Sequence, residues 1–327
     1  LSRGLGDVYK RQAFGRDIVI EGALRLEPSL TPRFVVNGLK IANPDWASRP
    51  FLATADKFDI RVSLLPLLRG NLQIVALEFH GIDLLLEQAA DGSNNFTFGA
   101  ATEPTALPAI ERLSLYDATI AYAAVEGPVR RLHMAQVRAR KVPGQPVELE
   151  AQTTVNAVPV TLSLHGEPPG DEHPHTPWQI TLLGEAGDLS LRVEGRVADP
   201  TDWRQGEYRL ALKGRQLDQL ETLSGYPFPE AGPYKLAAKF LFRLDDYLAV
   251  SDFSAQLGDS DLHGNLRWDM RTPRPAIKVR IESQRLDVGE LGIVNAPTGD
   301  AGQSNTAIWD QLFELGIHGN IDLDINI

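Results

Sequence analysis

An all-β fold, mainly antiparallel, is predicted by three observations: many short segments alternate apolar and polar residues with period two, glycines and prolines separate them, and helical periodicity is scarce. The alternation is cleanest after Pro146. Val147, Leu149, Ala151 and Val155 stand against Glu148, Glu150, Gln152 and Thr154; Val160, Leu162 and Leu164 against Thr161, Ser163 and His165; Leu189, Leu191, Val193 and Val197 against Ser190, Arg192, Glu194 and Arg196. Tyr208, Leu210 and Leu212 continue the pattern, then Tyr234, Leu236, Phe240 and Phe242, then Leu262, Leu266 and Trp268, then Ile277, Val279 and Ile281. Such strands have one apolar and one wet face, as antiparallel sheets do. Parallel βαβ units are not expected, because the crossover helices are missing. Short helices are expected only over 217–223 and 308–315.

The earlier part of the chain is less regular. Residues 18–26 and 34–41 read as two strands, with Pro28 and Pro32 in the turn between them. In Ser63-Leu64-Leu65-Pro66-Leu67-Leu68-Arg69-Gly70, Pro66 supplies no backbone donor, so the run is read as a strand ending in a tight corner. Residues 72–87 read as a strand, a break near His80-Gly81, and another strand. The small, proline-broken 99–108 is a loop. Residues 113–122 are again extended, with Tyr116, Ile120 and Tyr122 sharing one parity.

A supersecondary unit recurs. Glu194-Gly195-Arg196-Val197 followed by Gln216-Leu217-Asp218 matches His263-Gly264-Asn265-Leu266 followed by Arg285-Leu286-Asp287 at equal spacing, and Ile317-His318-Gly319-Asn320-Ile321 echoes 262–266. Each copy places a glycine in the apolar register of a strand. Repetition of this kind implies a sheet that grows by adding strands.

At 327 residues the length implies roughly two domains. The net charge of -11 excludes a nucleic-acid partner, for which clustered Lys and Arg are required. The absence of cysteine excludes disulfides, thiol catalysis and thiolate metal sites. Asp7-Val8-Tyr9-Lys10-Arg11-Gln12 looks like the translation of a sequencing-library adapter, so 1–12 are set aside as a non-native leader. The chain is therefore read as a gene fragment, cut also at its C-terminus. Residues 13–100 are expected to form an N-terminal strand module and 101–327 a repeating β-groove. No apolar run reaches the ~18 residues of a membrane-spanning helix.

No catalytic constellation stands out, and a non-enzymatic protein without cofactor is expected. Asp171-Glu172-His173-Pro174-His175 has metal-like spacing but lies among prolines without a third strong ligand, and is read as a solvated loop. His263 and His318 fall on polar parities and read as surface residues. Asp91-Gly92 lacks the further acids of a calcium loop and reads as a hairpin turn. What remains is the apolar parity itself, which fits either a closed sandwich core or an open, ligand-filled groove.

One order of motifs bears on that choice. Asn43-Pro44-Asp45-Trp46 precedes the leucine-rich 64–70 with its closing Arg69-Gly70, then Leu72-Gln73-Ile74, a second strand over 82–87, and Asp91-Gly92 to Asn95-Phe96. This order resembles the N-terminal region of the bacterial AsmA-like proteins, with Phe96 where the family commonly has Trp. A second similarity runs over 217–291 and includes Gly232-Pro233-Tyr234, Leu257-Gly258-Asp259-Ser260-Asp261-Leu262 and Arg274-Pro275. The resemblance implies an elongated, twisted, open β-groove with a few short helices, in the periplasm, anchored to the inner membrane by a missing N-terminal segment. It implies a role in outer-membrane biogenesis, with phospholipid as the ligand and envelope proteins as further partners. The alternative it leaves is a scaffold or regulator of outer-membrane protein assembly whose trough is filled by side chains. The expected groove lining is Leu189, Leu191, Val193, Leu210, Leu212, Leu236, Phe240, Leu262, Leu266, Trp268, Ile277, Val279, Ile321 and Leu323, with Arg192 and Arg267 pointing outward.

Overall fold

The computed structural model describes residues 11–13, 16–96, 109–125, 129–169, 176–199, 205–225, 228–243, 246–271, 276–287 and 320–326, the first and last of these segments for the backbone alone. The expected features at 99–108, 171–175, 274–275, 308–315 and 317–319 lie outside the described residues. The chain divides into two compact units, Leu1–Ser163 and Leu164–Ile327, each described by itself. Among the described residues no helix is long and apolar enough to cross a membrane.

The first unit contains β1 (Arg11–Ala13), β2 (Arg16–Ile20), β3 (Leu24–Glu27), β4 (Arg33–Ala42), β5 (Phe51–Val62), the one-turn helix α1 (Leu64–Leu68), β6 (Gln73–Glu87), β7 (Ala109–Ile110), β8 (Arg112–Ala123), β9 (Arg130–Arg140) and β10 (Val147–Val155). β11 (Val158–Glu167) follows β10 through Asn156-Ala157, both left-handed (φ 47° and 69°), as a two-residue turn between right-twisted strands requires. β1 pairs with β2 although Arg11 and Gln12 belong to the leader set aside on sequence. β2 and β3 both pair with β4, and the ladder continues through β5, β6, β8, β9 and β10. All these neighbours are antiparallel except β6 with β7 and β8, whose parallel pairing the long connection after Glu87 makes possible.

Register collects the apolar residues into rows across the strands. Phe34, Ile60, Leu77, Leu113, Ala139 and Leu149 form one row, and Val36, Phe58, Phe79, Leu115, Val137 and Ala151 the next but one. The row between holds Asp59, Glu78, Ser114, Arg138 and Glu150. A line of irregularity then crosses the sheet at Gly38 (φ 65°), Gly81 (φ 62°) and Asp117 (φ 53°), each skipped in the pairing. Beyond it the next apolar row is Leu39, Ala55, Ile82, Ala118 and Met134. The apolar step along each strand is therefore three residues, and the left-handed residue restores the phase that strict alternation would lose. At Gly81 a side chain is also excluded by space, because a Cβ there would sit 2.1 Å from Asp56 Oδ2.

Several sequence expectations change here. Residues 72–87 form one strand with a bulge at Gly81, not two strands. The run 63–70 is not the end of a strand. β5 stops at Val62 and α1 follows, because Pro66 lies in the first helical turn, where a missing N–H costs nothing. Tyr116 does not share a face with Ile120 and Tyr122, since Asp117 intervenes; its ring stacks on His80 at 4.7 Å, in the polar row. Residues 18–26 break at 21–23, where Glu21 N and Gly22 N donate to Gly38 O and Asn37 O.

The two ends of the 43–96 motif series are bonded together. Asn95 is fully buried, and its Nδ2 donates to Asn43 Oδ1 (3.0 Å) and Leu85 O (2.9 Å) while its Oδ1 accepts from Glu87 N (2.8 Å). Asn43 Nδ2 donates to Arg49 O, and the Asn95 carbonyl accepts from Arg16 Nη2 at 2.9 Å. Asp91-Gly92 is the expected turn: Asp91 Oδ1 accepts from Ser93 N and Oγ, and Gly92 is left-handed. Asn43 and Asn95 thus knit together one end of the sheet. Replacing Asn95 by Ala is expected to cost roughly 2–4 kcal/mol in urea unfolding, because it orphans three buried groups. Asn95→Asp, of the same shape, is expected to be no better, since an acceptor then faces Leu85 O and Asn43 Oδ1.

On the polar face, Arg33 chelates Asp59, with Nη2 to Oδ2 at 2.6 Å and Nε to Oδ1 at 3.0 Å; Lys57 Nζ bridges Asp59 (3.5 Å) and Glu78 (3.0 Å). His80 Nε2 lies 2.7 Å from Glu78 Oε1. Hydrogen bonding from Arg33 holds the Asp59 carboxyl below the usual carboxylate range, and that with His80 does the same for Glu78. A folded-state pKa below the unfolded one gives stabilisation that is complete above about pH 4–5 and is lost as pH falls through the lower folded value. Thermal unfolding between about pH 5 and 2 is therefore expected to show a shallower pH dependence for Asp59→Asn than for the unmodified chain.

Candidate functional site

The second unit carries the predicted lining residues. It comprises β12 (Trp178–Ala186), β13 (Leu189–Val197), β14 (Gln205–Gly214), the helix α2 (Gln219–Ser224), β15 (Tyr234–Arg243), β16 (Tyr247–Leu257), β17 (Ser260–Asp269), β18 (Ala276–Glu282) and β19 (Asn320–Asn326). Neighbours pair in chain order, antiparallel up to β18 and parallel from β18 to β19.

This register gathers the predicted residues on one face. Leu191 stands beside Leu212, then Leu236, Ala255 and Leu262; Val193 stands beside Leu182 and Leu210. Tyr208, Phe240, Val250, Leu266 and Val279 form a third row, and Val197, Gly206, Phe242, Leu248, Trp268 and Ile277 a fourth. Leu189 pairs with Ala186 at the turn. Ile321 and Leu323 pair in backbone register with Ile277 and Val279. Rows of the other parity hold Arg192, Glu194, Arg196, Glu207, Arg209, Lys213, Lys235, Lys239, His263, Arg267 and Lys278. Arg192 and Arg267 are exposed as expected, Arg192 bonded to Glu194 and Arg267 over the Tyr247 ring at 4.6 Å. His263 lies on the wet face, 57% exposed.

Within each unit, the substantial contacts between described elements are those between hydrogen-bonded strands, so no second sheet is layered on this face. The lining residues are nonetheless mostly half-buried, because side chains of adjacent rows shield one another. Glycines set the spacing of that packing. A Cβ on Gly195 would lie 2.7 Å from Tyr208 Cδ1 and 2.8 Å from Ile180 Cγ1, so the Tyr208 ring occupies the place of the missing side chain. Tyr234 covers Gly214 in the same way.

One end of the face is stopped. Ala231, Tyr234 and Leu257 form a buried cluster, with Leu212 of the apolar row and Leu217 and Leu220 of the α2 segment packed against it. Gly225, left-handed at φ 78°, terminates α2, and Leu217 N donates to Ala231 O at 2.7 Å. The second series of sequence motifs, Gly232-Pro233-Tyr234 and Leu257 to Leu262, builds this end: Gly258 N donates to Pro233 O and Ser260 is 1% exposed. The Tyr234 hydroxyl is buried without a hydrogen-bond partner among the described residues, and burial pushes its pKa up. The Trp268 indole nitrogen is likewise buried and unpartnered.

Among the described residues of this unit, the wet face carries a hollow. A concavity of about 670 Å³ has Ala211, Ala237 and Ser254 in its floor and Arg192, Lys213, Lys235, Asp261 and His263 at its rim. Small side chains in adjacent strands between long charged ones produce this dip. Among the described residues no three His, Asp or Glu side chains converge as a metal site.

The strands missed on sequence carry much of this surface. β16 escaped because the bulge at Asp252 (φ 50°) makes the step from Val250 to Phe253 three residues, breaking period two. β12 escaped because Gly184 and Ala186 stand in its apolar register and Leu183, 40% exposed, in its polar one. A three-residue apolar step spanning an Asp or Gly was the available signal.

Each unit is an open β-sheet whose most extensive special feature is an apolar face, and that is the class of protein they define. Residues 10–152 match the model of the AsmA family. The chain is also similar to AsmA family protein YhjG of Escherichia coli (strain K12), 29% identical over 156 residues, covering 44% of this chain and 22% of that protein. It thus spans less than a quarter of that relative's length. No solved structure matches.

Gly195→Ala is expected to lower stability by about 1–3 kcal/mol through overpacking against Tyr208 and Ile180. In a double-mutant cycle measured by urea unfolding, Tyr208→Ala is expected to remove most of that penalty.

Proposed function

We propose that this chain is a non-enzymatic segment of a cell-envelope protein that shelters phospholipid acyl chains on the apolar face of its sheet during transport between membranes. The match to the AsmA family supports a role in envelope and outer-membrane biogenesis; the periplasmic location, the inner-membrane anchorage and the lipid cargo are part of the proposal. The observation that carries it is the run of apolar rows from β12 to β18 with no described layer over them. An alkyl chain lying along such rows exchanges water for hydrocarbon contact, worth about 0.8 kcal/mol per methylene. Its phosphate-bearing end stays in water, so binding requires no catalytic group.

Photo-crosslinkers placed at Leu266 and Val279 test the reading against the same groups at Arg267 and Lys278, their neighbours on the opposite face. Lipid adducts in cells are expected at the first pair and not at the second. Adducts confined to Arg267 and Lys278 would reverse the face, and their absence at all four with a lipid-free purified protein would favour a side-chain-filled scaffold.

A further inference from the structure

Among the described residues, five of the twelve large apolar side chains left in water lie together at one end of the first unit. Leu65, Leu67 and Leu68 of α1 are 60%, 45% and 75% exposed, and Leu30 and Leu72 beside them 73% and 47%. These segments are held together by the backbone: Leu64 N donates to Leu30 O (3.1 Å), Val62 N to Pro32 O (3.2 Å) and Ser63 N to Gln73 O (2.9 Å). No residue of α1 is buried, so the helix does not serve to cover the sheet. It is a turn with leucine at four of its positions, fixed in place and presented outward.

The charges within its own stretch of chain have one sign. From Arg61 to Leu77 the sequence contains Arg61 and Arg69 and no acidic residue, in a chain whose net charge is -11. Both arginines are exposed, and neither has an ion-pair partner among the described residues. Of the acids nearby, Glu27, the last residue of β3, is engaged by Arg33 at 3.3 Å, and Glu111 accepts a hydrogen bond from Gln73 Nε2. A protruding cluster of leucines flanked by unpaired guanidinium groups suits a flat surface that is apolar at depth and anionic at its edge.

We propose that α1, with Leu30 and Leu72, is a membrane-contact element that seats this end of the first unit on the surface of an anionic phospholipid bilayer. The leucines enter the boundary between headgroups and acyl chains, and Arg61 and Arg69 engage lipid phosphates. This contact is distinct from the apolar rows of the second unit and requires no extraction of lipid from the bilayer.

The test is co-flotation of the whole chain with vesicles of phosphatidylethanolamine and phosphatidylglycerol. The unmodified chain is expected to float with them, and less with vesicles of phosphatidylcholine alone. Leu65→Ser with Leu68→Ser is expected to weaken binding roughly tenfold or more, and Arg61→Gln with Arg69→Gln to weaken it about as much and to remove its sensitivity to salt. All four side chains are exposed, so the variants are expected to keep the circular dichroism and melting temperature of the parent. Leu183→Ser, an exposed leucine of the second unit, is expected to float like the parent. The proposal is overturned if the unmodified chain stays in solution, if the double leucine variant floats unchanged, or if Leu183→Ser loses binding to the same extent.

Discussion

Hydrogen-bond register is the constraint on which the rest of this molecule depends. In a single layer of sheet nothing buries the apolar side chains except one another, so each must emerge beside its counterparts on adjacent strands. A slip of one residue would send a whole strand's leucines into the wet face. Gly38, Gly81, Asp117 and Asp252 occur where the strands are too long for unbroken alternation to stay in phase with their neighbours. Each makes a local left-handed correction, and the rows of apolar residues resume on the face they left.

The motifs that carry the resemblance to the AsmA family act in the same service. Asn43 and Asn95, separated by 52 residues, meet in a buried hydrogen bond that ties the turn after β4 to the turn after β6. The later series around Tyr234 and Leu257 fixes α2 over the end of the second unit's sheet. Both motif series therefore specify how an end of a sheet is held together, while the surface between is built from ordinary alternating strands.

That division explains how much could be read from sequence. Strands with uninterrupted alternation, such as β13, β14 and β17, are legible, and so are the residues of the apolar face that they carry. β16 and β9 are not, since a bulge within each shifts the phase halfway, and Tyr116 was placed on the wrong side for the same reason. The helix α1 was obscured because Pro66 argues against a helix interior and only its position in the first turn makes it acceptable. Long-range bonds such as Asn43 to Asn95 leave no periodic trace, and the wet-face hollow arises from small residues on adjacent strands that are distant in the chain.

The cluster of Ala231, Tyr234 and Leu257 under α2 makes the apolar face asymmetric along the strand direction. An extended molecule lying on it meets a wall of side chains at the Gly214 and Tyr234 row and none among the described residues at the Gly206 and Phe242 row. The two termini of such a molecule are then in different surroundings, one against packed protein and one facing solvent. A surface of this kind has a sense of direction without any moving part.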